Sequence, residues 1–150
     1  MDKPIGRRSL SHEVPESIRA NPEGEVFFVT ICCKERNRNQ LATDEVWETI
    51  YESLRHRESL GLLRVRIALV MPDHLHGLFE FPDQSMETVI RPFKSWIAKR
   101  HGVVWQKGFF DHRIRGWEWA ISKAAYIRDN PVRAGLVDAR DDWKYFYEMR

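Results

Sequence analysis

The order of segments in the 150-residue chain predicts an α+β fold, a ferredoxin-like sandwich (β-α-β-β-α-β) with an additional C-terminal helix. Short runs rich in β-branched and aromatic residues alternate with longer segments whose apolar residues recur at helical spacing. Hydrophobic residues make up 43% of the chain and aromatic residues 12%, which favours a packed globule over a disordered chain.

The predicted elements follow one another without a linker or an internal repeat. The predicted strands cover residues 26–33, 62–70, 74–81 and part of 103–114. The predicted helices cover residues 44–60, 86–101 and about 117–129. Pro92 has to lie in the first turn of the second helix or break it, and Pro131 discourages continuation of the third.

One domain is expected, since the length suits a single core. It divides into an N-terminal arm (1–24), a ferredoxin-like core (25–115), and a helix with a tail (116–150). The tail carries enough aromatic residues to pack back on the domain.

The cysteines and the apolar runs indicate a cytosolic protein. Cys32 and Cys33 are adjacent in a predicted strand, so they point to opposite faces and are not expected to form a disulfide. No apolar run approaches the roughly 20 residues of a membrane span, and the first residues lack the apolar region of a secretory signal. A reducing compartment and no membrane partner are therefore predicted.

The charge does not by itself identify a partner. The net charge is only +2, although basic residues are frequent in the last third of the chain. A basic face for nucleic acid and an ordinary solvated surface both explain this distribution.

Two histidines on the third predicted strand form the first candidate site. His74 and His76 are two residues apart, so their side chains leave the same face of the strand. At that spacing two imidazoles can converge on one divalent cation. The alternative is a pair of polar residues on the solvated face of an amphipathic strand.

A tyrosine and an asparagine on the last predicted helix form the second candidate site. Tyr126 and Asn130 are four residues apart and share a helix face. Tyr126 offers a nucleophilic hydroxyl, and Asn130 offers an amide oxygen that can bind a hard cation. The alternative is a core tyrosine followed by an asparagine that ends the helix before Pro131.

Taken together, the two pairs suit phosphodiester transfer to tyrosine. A cation held by the histidines would polarise a scissile phosphate and stabilise the charge that develops during attack. A covalent phosphotyrosine would then conserve the bond energy for rejoining.

These residues lie in motifs that resemble the HUH single-tyrosine transposases, in particular the REP-associated tyrosine transposases (RAYT). The segment VMPDHLHGLFEF resembles their HUH strand, and the segment WQKGFFDHRIRGWEWAISKAAYIRDNPVRAGLV resembles their C-terminal signature. The resemblance spans roughly residues 5–147. One departure is Asp73, where members of the family often have Asn, and it is expected to be harmless in a turn.

The resemblance implies a role for each matching residue. His74, His76 and Asn130 match the metal ligands, and Tyr126 matches the nucleophile. The implied cofactor is Mg²⁺ or Mn²⁺, and the implied substrate is single-stranded DNA, often at the foot of an imperfect hairpin of a bacterial repeat. Attack would leave a 5′-phosphotyrosine and a free 3′-hydroxyl. The implied location is the bacterial cytoplasm, at the nucleoid.

Further residues are weaker candidates for DNA contacts. The resemblance implies that the stretch before the tyrosine helix lies near the active site, and the other basic candidates lie in the arm. These DNA-binding candidates are Arg7, Arg8, Gln106, His112 and Arg115. Structural hydrogen bonding for His112 and a disordered basic terminus for Arg7 and Arg8 remain alternatives. Trp117 or Trp119 is the better candidate among the tryptophans for stacking on an unpaired base.

Two other functions remain open at this point. A non-catalytic nucleic-acid-binding module on the same frame would use sheet aromatics to stack bases and would need no metal. A metallohydrolase would use water as the nucleophile and leave Tyr126 structural. The recognised DNA sequence, the metal used in the cell, continued mobilisation of an element, and the choice between monomer and homodimer are not predicted.

Overall fold

The computed structural model describes residues 25–149, except for the side chains of residues 117 and 118. It confirms the predicted fold class. The strands are β1 (Val26–Cys32), β2 (Arg64–Met71), β3 (His74–Glu80), β4 (Phe110–Ile114) and β5 (Phe146–Glu148). The helices are α1 (Asp44–Ser59), α2 (Met86–His101), α3 (Trp117–Arg128) and α4 (Asn130–Arg133), with a 3-10 turn at Arg140–Asp142. The candidates Arg7 and Arg8 lie outside the described residues.

The five strands form one antiparallel sheet in the order β4-β1-β3-β2-β5. The first four have the strand order of a ferredoxin-like sheet, and β5 extends its β2 edge. Strand β3 is central, between β1 and β2, so residues on β3 have neighbours on both sides. The two candidate histidines therefore lie on a central strand of the sheet.

Helices cover both faces of the sheet. Helices α1 and α2 pack on one face through apolar residues at helical spacing, including Ile50, Leu54, Phe93 and Ile97. A smaller core on the opposite face brings residues such as Phe28 against Ile127 of α3. Because successive strand residues alternate between faces, His74 and His76 share this second face.

Helix α2 runs through Pro92, so the prediction that this residue lies in the first turn or breaks the helix is wrong. Proline removes the amide hydrogen that would bond to the carbonyl of Thr88. Pro92 and Thr88 are both exposed, so water can satisfy that carbonyl. The buried stripe on the other side of the helix, which includes Val89 and Phe93, outweighs the lost bond.

The tail packs against the domain, as its aromatic content predicts. The Trp143 indole donates from Nε1 to the carbonyl of Val70 at 3.0 Å, and Phe146 packs in the core beside α3. Phe146 also pairs with Leu69 as part of β5. The strand itself was not predicted, because three residues are too few for a recognisable alternation.

Candidate active site

His74 and His76 lie side by side on β3, with ring centroids 4.6 Å apart. The His74 side chain is 15% exposed and His76 is 8% exposed, since α3 covers this face of the sheet. The alternative of two histidines on a solvated strand face is therefore wrong. Buried imidazoles need specific partners.

Each imidazole is held through its Nδ1 atom. His76 Nδ1 lies 3.0 Å from the hydroxyl of Thr30, its cross-strand neighbour on β1. His74 Nδ1 donates to Asp73 Oδ1 at 2.8 Å. The second ring nitrogen of each residue, Nε2, is thus the atom available to a ligand, which is the arrangement of metal-binding histidines with outer-shell partners.

Both histidines are electrostatically biased towards the neutral form. Burial lowers the pKa of His74, against the hydrogen bond from its ring to Asp73, and burial lowers the pKa of His76 well below its ordinary value. The charges of Arg133 and Lys123 lower the pKa of His76 further. Neutral imidazole is the form that ligates metal, so the pair fits a divalent cation.

Asp73 is a residue of the site that the sequence interpretation did not identify. It is 7% exposed and accepts hydrogen bonds from Arg36 Nε at 2.9 Å and from the backbone N–H of Asn37 at 2.7 Å. Burial alone would raise the pKa of this carboxyl, but these bonds and the one from His74 hold it well below its usual range. Its position immediately before the HxH motif was the only available signal.

Tyr126 lies on α3, in a stripe of residues on one flank of that helix. These residues, which recur at helical spacing beside those that pack on the sheet, are Trp119, Lys123 and Tyr126. Two cations lie over the Tyr126 ring, with Lys123 Nζ at 5.2 Å and Arg133 Cζ at 3.9 Å from its centroid. Arg133 also donates to the Tyr126 carbonyl at 2.8 Å, so it wraps around the tyrosine.

A continuous set of contacts joins the tyrosine to the histidines. The Phe28 ring stacks on His76 with a centroid distance of 5.2 Å. Lys123 Nζ lies 5.2 Å from the Phe28 ring and is also within 5.2 Å of the Tyr126 ring. Lys123 is only 6% exposed, so its ammonium group is buried next to the Phe28 and Tyr126 rings.

Asn130 begins a new helical turn, so the alternative that it ends the tyrosine helix is wrong. Helix α3 ends at Arg128 with Asp129 as its cap, and Asn130 is the first residue of α4. Pro131 is accommodated in the first turn of α4, where a missing N–H is tolerated. Asn130 is half-buried, and it is separated from the helix that carries Tyr126 by Asp129.

The three described DNA-binding candidates lie at different distances from the histidines along the sheet. His112 on β4 is half-buried and pairs with Phe28, on the same face as the histidines. Gln106 lies at the end of the sheet where His74 is, because its N–H donates to the Cys32 carbonyl at 2.8 Å. Exposed Arg115 follows β4 at the opposite end, about 20 Å away at the rise of a strand.

Within residues 25–149 no group of three or more His, Cys, Asp or Glu side chains is arranged to hold a metal ion. No helix in the described part of the chain is long and apolar enough to cross a bilayer.

A solved structure shows which known fold this protein shares. The fold matches that of a solved REP-associated tyrosine transposase bound to a REP hairpin, with a TM-score of 0.73 at 20% identity, covering 97% of this chain and 81% of the other. The fold is thus that of a tyrosine transposase. No family model matches the chain.

Curated relatives show which transposases this chain resembles. A REP-associated tyrosine transposase of Escherichia coli K12 is 28% identical over 135 residues, covering 82% of this chain and 76% of the relative. A putative REP-associated tyrosine transposase of Haemophilus influenzae is 28% identical over 141 residues, covering 82% and 79%. The predicted resemblance is confirmed: this chain is similar to REP-associated tyrosine transposases over most of its length.

Proposed function

We propose that this protein is a DNA transposase that cleaves and rejoins single-stranded, hairpin-associated DNA through a covalent 5′-phosphotyrosine on Tyr126. One observation carries the proposal most directly. A pair of histidines, each held at Nδ1, lies on the sheet face that the helix carrying Tyr126 covers, and the two groups are linked through Lys123 and Phe28. The names of its homologues support the same class of reaction.

The proposed chemistry is a transesterification. The hydroxyl oxygen of Tyr126 attacks phosphorus, a new P–O bond forms, and the bond between phosphorus and the 3′ oxygen breaks. The phenolic proton is given up and the leaving 3′ oxygen gains one, so the products are a 5′-phosphotyrosine and a 3′-hydroxyl. Attack by a 3′-hydroxyl on the phosphotyrosine reverses the step and restores a continuous strand.

His74, His76 and the Asn130 amide would hold Mg²⁺ or Mn²⁺, which supplies charge stabilisation at the scissile phosphate. The rings of both histidines are already held by hydrogen bonds at Nδ1, so little ordering of the side chains is needed when a cation binds. Asn130 contributes an oxygen donor, which suits hard cations.

Lys123 and Arg133 are proposed to prepare the tyrosine for a negatively charged substrate. Arg133 stacks on the ring and donates to the Tyr126 backbone, which restrains the ring. Lys123 is held in a buried position beside the ring, where its charge is worth more than in water. Both cations favour a phosphodiester approaching the tyrosine hydroxyl.

Single-stranded substrate is supported by Trp119. This tryptophan is 53% exposed and lies one helical turn before Lys123, whose Nζ is 5.9 Å from the Trp119 ring. An exposed indole beside a cation is a platform on which an unpaired base can stack. The solved structure with the same fold holds a REP hairpin, which supports a hairpin next to the single-stranded segment.

The experiment uses the full chain and hairpin oligonucleotides with single-stranded flanks, labelled at one end or the other. In Mn²⁺, the wild-type protein should form a covalent complex that survives denaturing electrophoresis and retains only the label 3′ of the cut. Excess EDTA should abolish the complex. An untailed blunt hairpin serves as the substrate control.

Each alternative gives a different result. Cleavage without a covalent complex would assign the reaction to water, as in a metallohydrolase. Binding without cleavage in Mn²⁺ or Mg²⁺ would make the protein a non-catalytic binding module. Full activity in excess EDTA would contradict the metal assignment.

A further inference from the structure

We propose that Asp73, clamped by Arg36, is a positioning residue that fixes the tautomer and the orientation of His74, so that Nε2 is preset as a donor atom. The proposal rests on the proposed function insofar as the donor serves a divalent cation. The loop after β1, which carries Arg36, would thereby support one of the two predicted histidine ligands.

The carboxylate of Asp73 is surrounded by hydrogen-bond donors. Its Oδ2 atom accepts from Arg36 Nε at 2.9 Å and from the Asn37 N–H at 2.7 Å. Its Oδ1 atom accepts from Arg36 at 3.4 Å and from the His74 ring at 2.8 Å. The carboxylate can therefore neither rotate nor leave His74 without losing several charge-assisted bonds, two of them from the Arg36 guanidinium.

The loop after β1 is shaped around this carboxylate. Asn37 adopts a positive φ of 64°, and its backbone N–H donates to Asp73. The backbone N–H of Cys33 donates to the Asp73 carbonyl at 2.8 Å, which ties the end of β1 to the turn before β3. Because Arg36 and Asp73 are 37 positions apart, this contact is a product of the fold.

The contact determines which nitrogen of His74 carries the proton. A carboxylate has no proton to donate, so His74 must donate from Nδ1. The lone pair then lies on Nε2. A hydroxyl such as that of Thr30 can donate or accept, so His76 is not constrained to one tautomer in the same way. Of the two histidines, His74 is thus the one with a defined donor atom before any cation arrives.

Asparagine at this position would give a weaker support. Its amide oxygen could still accept from His74, but its NH₂ group would then face both donors at the Oδ2 position, Arg36 Nε and the Asn37 N–H. The order of support for His74 should therefore be Asp, then Asn, then Ala. This order separates the charge of Asp73 from its shape.

The first test is made without metal, by ¹⁵N NMR of histidine-labelled protein, with the His74 signals assigned by His74→Gln. In wild type, the proton of His74 should be on Nδ1. In Asp73→Ala, His74 should shift towards the Nε2-protonated form, which free imidazole side chains prefer. Retention of the wild-type tautomer in Asp73→Ala would overturn the proposal.

The second test measures Mn²⁺ affinity by electron paramagnetic resonance or calorimetry. Asp73→Ala should weaken binding about 10–100-fold, as expected for loss of an outer-shell partner, and Asp73→Asn should weaken it less. Asp73→Asn preserves the size of the side chain, so the test survives if Asp73→Ala does not fold. Equal affinities for wild type and both variants would overturn the proposal.

A matched control comes from the same loop. Arg38 pairs with Glu35 at 3.1 Å on the surface, away from the histidines, so Arg38→Ala should leave the tautomer and the affinity unchanged. Arg36→Ala should change both in the direction of Asp73→Asn. The metal-free tautomer does not depend on DNA cleavage, so absence of a covalent complex would contradict the proposed function and leave this result standing.

Discussion

The metal-ligand and structural interpretations of Asn130 predict different effects of substitution. As a ligand it supplies the one oxygen donor from the protein, whereas as a structural residue it only begins the short helix α4. Asn130→Ala should lower Mn²⁺ affinity at least roughly tenfold. The free energy of unfolding without metal should change by no more than about 0.5 kcal/mol.

Asn130→Asp is the matched control, because it keeps an oxygen at the same position and adds a negative charge. It should retain Mn²⁺ binding and lower affinity for DNA, since the charge is close to the phosphate. Calorimetric titration of both variants gives the answer. Equal Mn²⁺ affinity of the Ala variant and wild type would remove Asn130 from the ligand set.

The two cysteines provide a prediction that is independent of catalysis. Burial, followed by the charge of Asp73, raises the pKa of Cys33 to about 11. At pH 8 only about one thiol in a thousand would be the reactive thiolate. Cys33 in a Cys32→Ala variant should therefore resist iodoacetamide in the native protein and react rapidly in guanidinium, as followed by mass spectrometry. Rapid native labelling would contradict this burial.

Single residues were predicted when a local rule applied to them. The i, i+2 spacing of His74 and His76 correctly placed both on one face. Their burial was not predicted, because it depends on which face α3 covers. The role of Asp73 was missed for a related reason. Its partner Arg36 lies in a loop that no local pattern brings towards β3.

At the scale of elements, the packing of β3 depends on the absence of a side chain at Gly77, the residue after His76. A methyl group at Gly77 would lie 2.2 Å from the end of the Phe79 ring, which is 2% exposed and packs against Phe81. Gly77→Ala should therefore overpack the core and cost about 1–3 kcal/mol. The melting temperature should fall by roughly 2–10 °C.

A second substitution tests that explanation. Phe79→Leu removes the ring, so the double variant Gly77→Ala/Phe79→Leu should lose less stability than the sum of the single variants. Thermal unfolding of the four proteins measures this difference. Strict additivity would mean that the Gly77 methyl does not meet the ring.

Elements were predicted where their periodicity was long enough. Helix α1 and strand β3 begin as expected, with the Thr43 hydroxyl accepting from the Val46 N–H as a cap. The continuation of α2 through Pro92 was not predicted, because the proline rule is local whereas the buried stripe that holds the helix is a property of the packed protein. The same limit applies to β5, which exists only through its pairing with β2.

At the scale of the whole molecule, the fold class was the most predictable feature. An alternating β-α-β-β-α-β pattern leaves few arrangements that bury both sheet faces, and the first four strands have the order of a ferredoxin-like sheet. The placement of α3 on the face opposite α1 and α2 was not given by that pattern. This placement brings Tyr126 to the histidines, and the resemblance to the transposases was the only sequence-based reason to expect it.

The central claim is that Tyr126, beside the buried histidine pair, is the nucleophile. Tyr126→Phe removes only the hydroxyl and keeps the ring on which Arg133 stacks, so fold and DNA affinity should be close to wild type. The decisive measurement is peptide mass mapping of the covalent complex formed with tailed hairpin DNA in Mn²⁺. We predict a nucleotide remnant on the peptide containing Tyr126 and no covalent complex with Tyr126→Phe. A remnant on another tyrosine, or a wild-type yield of complex from Tyr126→Phe, would contradict the claim.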